Sequence, residues 1–357
     1  MGSAVRRLLA LLLFAAPLNA AAEGLLPGGV VDVKITPAAL VLGKDARAQV
    51  TLSVTDPAGN AVDVEGLEIL ASAGRVEPVE HVATGRYTAL YRPPRVGFPH
   101  IAWILAKARA PSGAVAGVAL LPLMGQGTLR VDTKPDAQVT LRIGEDVFGP
   151  VTADRRGVAR ITVVAPPGST IGTALSVDAA GNETTQTVDL AVPPFNRIAL
   201  LPMGRLTAGG RAPLLLLAVS GDGTALPHGD FHVSADRASV AEIRKLADGV
   251  WRVELQGPEK VENGHVQVRA ELEGHGQSVA DRAIPVVAGP AAQVRVHLAP
   301  AHHRAVDVQP VTVTAHFQDA HGNPVSAQGA QLTPSLGTLD APRFSGGGVV
   351  RARWTLP

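Results

Sequence analysis

The sequence predicts an all-β protein built from tandem β-sandwiches, and three observations carry that expectation. Four segments place a glycine before a strand with apolar or aromatic residues at every second position. They are Gly85-Arg-Tyr87-Thr-Ala89-Leu-Tyr91, Gly157-Val-Ala159-Arg-Ile161-Thr-Val163, Gly249-Val-Trp251-Arg-Val253-Glu-Leu255 and Gly348-Val-Val350-Arg-Ala352-Arg-Trp354. A period of two sends alternate side chains to one face of a strand, and glycine tolerates the positive φ of the turn that feeds it. The glycines recur at intervals of roughly 70 to 100 residues, about one sandwich each. The second observation is Asp-x-x-Gly-Asn after an apolar strand, at Asp56/Gly59/Asn60, Asp178/Gly181/Asn182 and Asp319/Gly322/Asn323. Asp caps the backbone at the turn entry, and Gly-Asn accepts left-handed conformations. The third is that no stretch sustains a 3.6-residue apolar period. Val240 to Leu246 has room for one or two helical turns and no more.

Taken in order, residues 1–22 read as a secretory signal. Arg6 and Arg7 precede the apolar run Leu8 to Pro17, and Asn19-Ala20-Ala21-Ala22 offers small residues for cleavage. That run is shorter than the ~20 residues needed to span a bilayer, and no later run is long enough. The first domain is expected over 31–124, closed by strands His100 to Ala108 and Val115 to Leu123. The second covers 127–192 and ends at Pro193-Pro194. The third covers 195–288, carries Ser220-Gly-Asp222-Gly223 in place of the shared turn, and closes with His265 to Leu272 and Ser278 to Val287. The fourth runs over 289–357. Only nine residues follow Gly348, where domains one and three continue into a closing pair of strands, so the fourth sandwich reads as incomplete. An unpaired edge there is a place for a partner strand. Pro or Gly at each junction implies short, semi-stiff linkers and a rod of sandwiches joined end to end.

Ile35-Thr-Pro37 through Val54-Thr-Asp56-Pro-Ala-Gly59-Asn60-Ala-Val62, followed by Gly85-Arg-Tyr87, resembles the bacterial Ig-like domains of the invasin and intimin type. Val313-Thr-Ala-His-Phe317-Gln-Asp319-Ala-His-Gly322-Asn323-Pro324-Val325 is similar to the same repeats. Residues 127–192 resemble a second bacterial Ig-like subtype, with Asp154-Arg-Arg-Gly157 before the motif strand and Asp-x-x-Gly-Asn near the domain's end. The resemblance implies tandem Ig-like folds and a non-enzymatic role at the cell envelope. Family members often carry a transmembrane barrel, a cell-wall anchor or a binding tip, and none is recognisable in this sequence.

Composition narrows the function classes. Lys+Arg 32 against Asp+Glu 31 gives a net charge of +1, so no basic field points to nucleic acid. With no Cys, the chain has no disulfide, thiolate metal site or Cys nucleophile. No nucleophile elbow, zinc-protease helix, phosphate loop or nucleotide fingerprint occurs, so an enzyme and a cofactor are not expected. The densest imidazole group is His302-His303, near His297, His316 and Asp307. Adjacent residues on a strand face opposite ways, so a solvated loop is favoured over a divalent-metal site. The shared turns offer too few oxygens for Ca²⁺ and read as plain turns. Tyr87, Tyr91, Trp103, Trp251 and Trp354 sit at alternating strand positions and read as core in preference to a sugar-stacking platform.

Two functions follow. One is an exported cell-envelope protein whose Ig-like modules act as spacer or adhesive modules toward envelope proteins, surface proteins or surface glycans. The other is a soluble periplasmic accessory or binding protein that engages a partner through an open sheet edge in its fourth domain. Both put the mature chain in the periplasm or at the cell surface. N-terminal sequencing of the exported protein should start within a few residues of Ala22; an intact Met1 end in envelope fractions would refute export by this signal.

Overall fold

The computed structural model describes residues 25–275, 278–302 and 309–355. The signal segment 1–22, His303 and Asp307 lie outside the described residues. Among those described, every regular element is a strand. The first unit holds β1 (Val30–Thr36), β2 (Leu40–Val41), β3 (Ala48–Thr55), β4 (Glu65–Ala71), β5 (Arg75–Val76), β6 (Glu80–Ala83), β7 (Arg86–Arg92), β8 (His100–Ala110) and β9 (Gly113–Asp132). Its sheets are β1-β3-β7-β5, with β6 also on β7, and β9-β8-β4, with β2 parallel to β9. Inward residues of both sheets, among them Val50, Leu52, Tyr91, Ile104 and Leu121, make one core. This is the alternation read from the sequence, seen as two layers packed face to face.

The second unit holds β10 (Gln138–Ile143), β11 (Asp146–Thr152), β12 (Val158–Ala165), β13 (Ile171–Val177) and β14 (Glu183–Asp189). Its main sheet is β11-β10-β13-β14; its other layer is β12 paired with the far half of β9. Where the sequence places a linker around Gly125-Gln126-Gly127, β9 runs on unbroken. Gly125 and Gly127 pair with Ala165 and Val163, so the ladder continues through them and the two units share a strand.

The third unit holds β15 (Ile198–Pro202), β16 (Leu206–Thr207), β17 (Arg211–Ala218), β18 (Phe231–Ala235), β19 (Ser239–Ala247), β20 (Val250–Gln256), β21 (His265–Leu272) and β22 (Val279–Val287). Sheet β15-β17-β20-β19 faces sheet β16-β22-β21-β18. The helical turn allowed at Val240 to Leu246 is absent, because that segment lies in β19 and pairs with β20. A helix this short has no stability of its own against a strand ladder. The fourth unit holds β23 (Gln293–Ala299), β24 (Val311–Gln318), β25 (Thr338–Leu339), β26 (Arg343–Ser345) and β27 (Val349–Thr355), in one sheet ordered β23-β24-β27-β25 with β26 on β27.

The motif glycines do what the pattern asks. Gly85, Gly157, Gly249 and Gly348 have φ of 66°, 76°, 73° and 73°, and each feeds its strand. Strands β7, β20 and β27 then take the same place in the sheets of units one, three and four, while β12 in unit two pairs with β9.

The expected end-to-end rod is corrected by a second core. Ile101, Trp103 and Leu105 of β8, with Ala116 and Val118 of β9, point away from the first core and pack against Ala199, Leu201, Leu215, Leu217, Val219 and Val250 of unit three. Their neighbours Ala102, Ile104 and Ala106, like Leu214 and Leu216 across the seam, fill the cores of their own sandwiches. Lys107 crosses the seam, donating to the Pro202 carbonyl at 2.9 Å. The chain therefore folds unit three back against the outer face of unit one, past unit two. The cause is composition: both faces of these strands are apolar, and each needs a cover.

In unit four the sheet has no facing sheet among the described residues. Val294, Val296 and Leu298 of β23 are 51%, 54% and 41% exposed, on the face that also carries Ala315 and Val350. Among the described residues, the segment around Ala327, Ala330 and Leu332 packs on it. Hydrogen exchange should therefore be faster over 311–355 than over 31–124; equal protection in a monomer would refute this. Trp251, 5% exposed and edge-on to Phe231 at 4.7 Å, should cost about 3–5 kcal/mol on truncation to Ala in chemical denaturation.

Candidate functional site

The Asp-x-x-Gly-Asn segments form one structure in three settings. In each, a carboxylate oxygen of the Asp accepts the backbone N–H two and four residues on, and the Asn amide donates back to the same carboxylate. Gly59, Gly181 and Gly322 have φ of 86°, 83° and 78°. These carboxylates face N–H donors and not oxygens, so the geometry is that of a turn and not of a Ca²⁺ cage. Asp154 caps Arg156 and Val158 in the same way, whereas in unit three Asp222 accepts the Ser220 hydroxyl and the Thr224 N–H.

The settings differ. Around Asp56 and Asn60 the turn is exposed. In unit two, Lys134 donates to Asp178 at 2.6 Å and, with Asn182, holds that carboxyl far below the usual range. In unit four the turn is buried in a joint with unit three. Asp319 and Asn323 are 1% and 4% exposed. Asp319 accepts the Gly289 N–H at 2.9 Å; Asn323 accepts the Val261 N–H at 2.9 Å and donates to the Glu259 carbonyl at 2.7 Å. Lys260 donates to the His321 carbonyl, and a Cβ at Gly209 would clash with the His321 ring. The sequence marks Asp319 and Asn323 as turn residues only. The part of Asn323 in the joint depends on partners some sixty residues away, and that of Asp319 on Gly289, thirty residues away.

The aromatic residues divide. Tyr87 is 6% exposed, accepts the Val64 N–H at 2.9 Å and donates to Asp63 at 3.3 Å. Tyr91 is buried and donates to the Ala73 carbonyl at 3.0 Å; burial pushes its phenol well above the ordinary range. Trp251 lies in the third core. Trp103 is buried in the seam between units one and three instead of in its own sandwich. Trp354 is only half-buried, held by an N–H bond to the Leu336 carbonyl at 2.7 Å, because no second sheet among the described residues covers it. Asp63 escaped sequence reading. It accepts from Gly85 at 2.9 Å and from His81, and these bonds lower its pKa.

His302 lies exposed in a bend. The rings of His297 and His316 meet edge-on with centroids 5.7 Å apart. Among the described residues no group of three or more His, Asp or Glu is placed to hold a metal ion.

The candidate site is a cleft of about 510 Å³ at the mouth of the seam. Unit one contributes Val96, Phe98, His100 and Trp103, the chain entering unit three contributes Pro193, Pro194 and Phe195, and β22 contributes Asp281 and Arg282. Its volume suits a small ligand. Phe98 is 60% exposed and Val96 48%. The His100 ring is fixed through Nδ1 to the Phe98 carbonyl at 2.9 Å. The sequence shows Phe98 as a lone ring in a loop. Its neighbours Phe195 and Arg282 come from another unit, and no local pattern could have gathered them.

The joint of unit four has a defined pH response. Burial alone would raise the Asp319 pKa, but the hydrogen bonds from Asn323, Gly289 and His321 outweigh it and hold it at about 2. A carboxyl depressed below the ordinary 3.8 contributes stability above that value, and the contribution is lost as pH falls through about 2. Replacing Asp319 by Ala leaves the Gly289 and Asn323 donors unpaired, at about 1–3 kcal/mol. Small-angle scattering at neutral pH should show the D319A chain more extended than the wild type; unchanged dimensions would count against the joint.

No family model matches the chain, and no curated protein does. Among solved structures it is similar to FdeC, an Escherichia coli adhesin, at 14% identity over 91% of this chain and 88% of that one, with a TM-score of 0.33. It is similar to InvD of Yersinia pseudotuberculosis at 15% identity over 91% and 80%, TM-score 0.24. Invasin, described as a bacterial integrin-binding protein, is 12% identical over 92% and 74%, TM-score 0.28. Likenesses this loose bear on neither family nor function.

Proposed function

We propose that the chain is an exported, non-enzymatic cell-envelope protein whose Ig-like sandwiches act as spacer and binding modules, with the seam cleft as their binding surface. The observation that supports this most is the seam. Units one and three share an apolar core, and unit four is clipped to unit three through Asn323 and the His321 carbonyl. A body held this way carries the exposed Phe98 in a fixed place. The partners it suits are envelope or surface proteins, or surface glycans, reached from the periplasm or the cell surface.

A second reading has its own observation. Among the described residues the apolar side chains of β23, Val294, Val296 and Leu298, stay largely exposed in unit four, whereas β8–β9 and β21–β22 cover the corresponding faces of units one and three. A periplasmic accessory protein would use such a face, or the edge beside it, to take up strands of a partner.

Protease added to intact cells, and again after the outer membrane is permeabilised, separates surface from periplasm. Binding of the purified mature chain to immobilised envelope fractions then separates the readings. F98D should abolish binding by the cleft, and V296D should abolish binding by unit four. Recovery of the full-length chain from the cytoplasm, or binding that survives both variants, would sink both.

A further inference from the structure

We propose that the seam cleft binds a small organic anion consisting of one apolar ring and one carboxylate, the ring against Phe98 and Phe195 and the carboxylate on Arg282. The inference deepens the reading of the cleft as a binding surface and holds wherever the chain resides.

Most polar side chains lining the cleft are already engaged, His100 among them through Nδ1 on the Phe98 carbonyl. Ser72 Oγ already accepts the Trp103 N–H at 2.9 Å. Asn196 is used twice, accepting the Ile198 N–H at 3.1 Å and donating to the Val279 carbonyl. Asp281 pairs with Arg269 at 3.3 Å, which offsets its repulsion of an incoming anion. Arg282 differs: among the described residues its guanidinium has no ion-pair or hydrogen-bond partner, although it is half-buried in the cleft wall. An unpaired guanidinium with apolar surroundings is a carboxylate site, since its planar fork meets both oxygens.

The remaining walls fix the rest of the ligand. Phe98, Phe195, Pro99, Pro193 and Val96 offer apolar faces. A polyol would bring several hydroxyl groups to a cleft whose side-chain donors and acceptors are mostly engaged, and would leave them without partners. A ring with one anionic group uses the two things the cleft has. A free aromatic acid and the C-terminal aromatic residue of a polypeptide share that chemistry.

Calorimetric titration of the full mature chain tests it. The probes are 3-phenylpropionate, its neutral counterpart 3-phenyl-1-propanol, propionate and glucuronate, with acetyl-glycyl-phenylalanine and its amide to separate the peptide source. Phenylpropionate should bind one to one and about tenfold tighter than the alcohol, the worth of a charge-assisted bond. Propionate should not bind measurably. R282Q should erase the preference for carboxylate over alcohol, and F98A should weaken both equally. Both positions are on the cleft surface, and an unchanged thermal midpoint shows that the variants fold. If the acetyl dipeptide binds tighter than phenylpropionate and its amide does not, the source is a chain terminus. Equal binding of acid and alcohol, a preference that survives R282Q, tighter binding of glucuronate, or no binding at 10 mM would each overturn the proposal.

Discussion

The arrangement of the molecule depends on a few strands that are apolar on both faces. In β8, Ala102, Ile104 and Ala106 fill the first core while Ile101, Trp103 and Leu105 point outward. In β17, Leu214 and Leu216 fill the third core while Leu215 and Leu217 point outward. Each sandwich could close without its outer row, so the outer row is not needed to fold a unit. Left exposed, it would be a large continuous apolar patch. Covering one patch with the other removes both from water, at about 1.5–3 kcal/mol for each large side chain buried. Contacts between units of one chain are usually polar and loose. This one has the character of a core, and it sets where unit two, the seam cleft and unit four can lie.

The same local motif is used for unlike ends. In the exposed turn at Asp56, the carboxylate and the Asn amide satisfy each other and the backbone, and nothing outside is required. The turn at Asp319 has identical internal bonds, yet Asp319 also takes up the Gly289 N–H at the entry to unit four, and Asn323 takes up Val261 and Glu259 of the neighbouring unit. A turn that satisfies itself internally is rigid, and so loses little entropy when it docks. That explains how one sequence pattern serves as a solvent-facing turn in unit one and as a joint in unit four.

Much of this was legible in the sequence, and the part that was not has a definite reason. The period of two gave the motif strands and the closing pairs; β8–β9 and β21–β22 start and end close to where alternation places them, apart from the far half of β9. The turn chemistry located Gly59, Gly181 and Gly322 at positive φ. The seam was not read, because a strand buried on both faces loses the alternation that marks a buried side. Ile101-Ala-Trp103-Ile-Leu105 and Leu214-Leu-Leu-Leu217 are continuous apolar runs, and such a run identifies a strand without naming its second neighbour. Gly125 and Gly127 read as a linker because glycine breaks patterns, yet each has strand geometry within β9. Phe98 and Arg282 come from different units, so the cleft is a property of the seam and of no single segment.

The seam also changes how the units respond to one another. A linear array of sandwiches couples each unit only to its neighbours in sequence. Here β8 and β9 of unit one are buried by unit three, so unfolding unit one exposes Leu215, Leu217 and Val219 of a unit separated from it in sequence by the whole of unit two. Unit two sits in the connection between them and shares β9 with the first. Loss of unit three therefore uncovers one face of β8 and of the near half of β9, the strand whose far half runs on into unit two. A ligand bound in the cleft as proposed would touch both sides of this seam, which Phe98 and Arg282 line. Its binding energy would add to the contact between units one and three and to neither sandwich alone, so occupancy of the cleft and closure of the seam would favour each other by the same free energy.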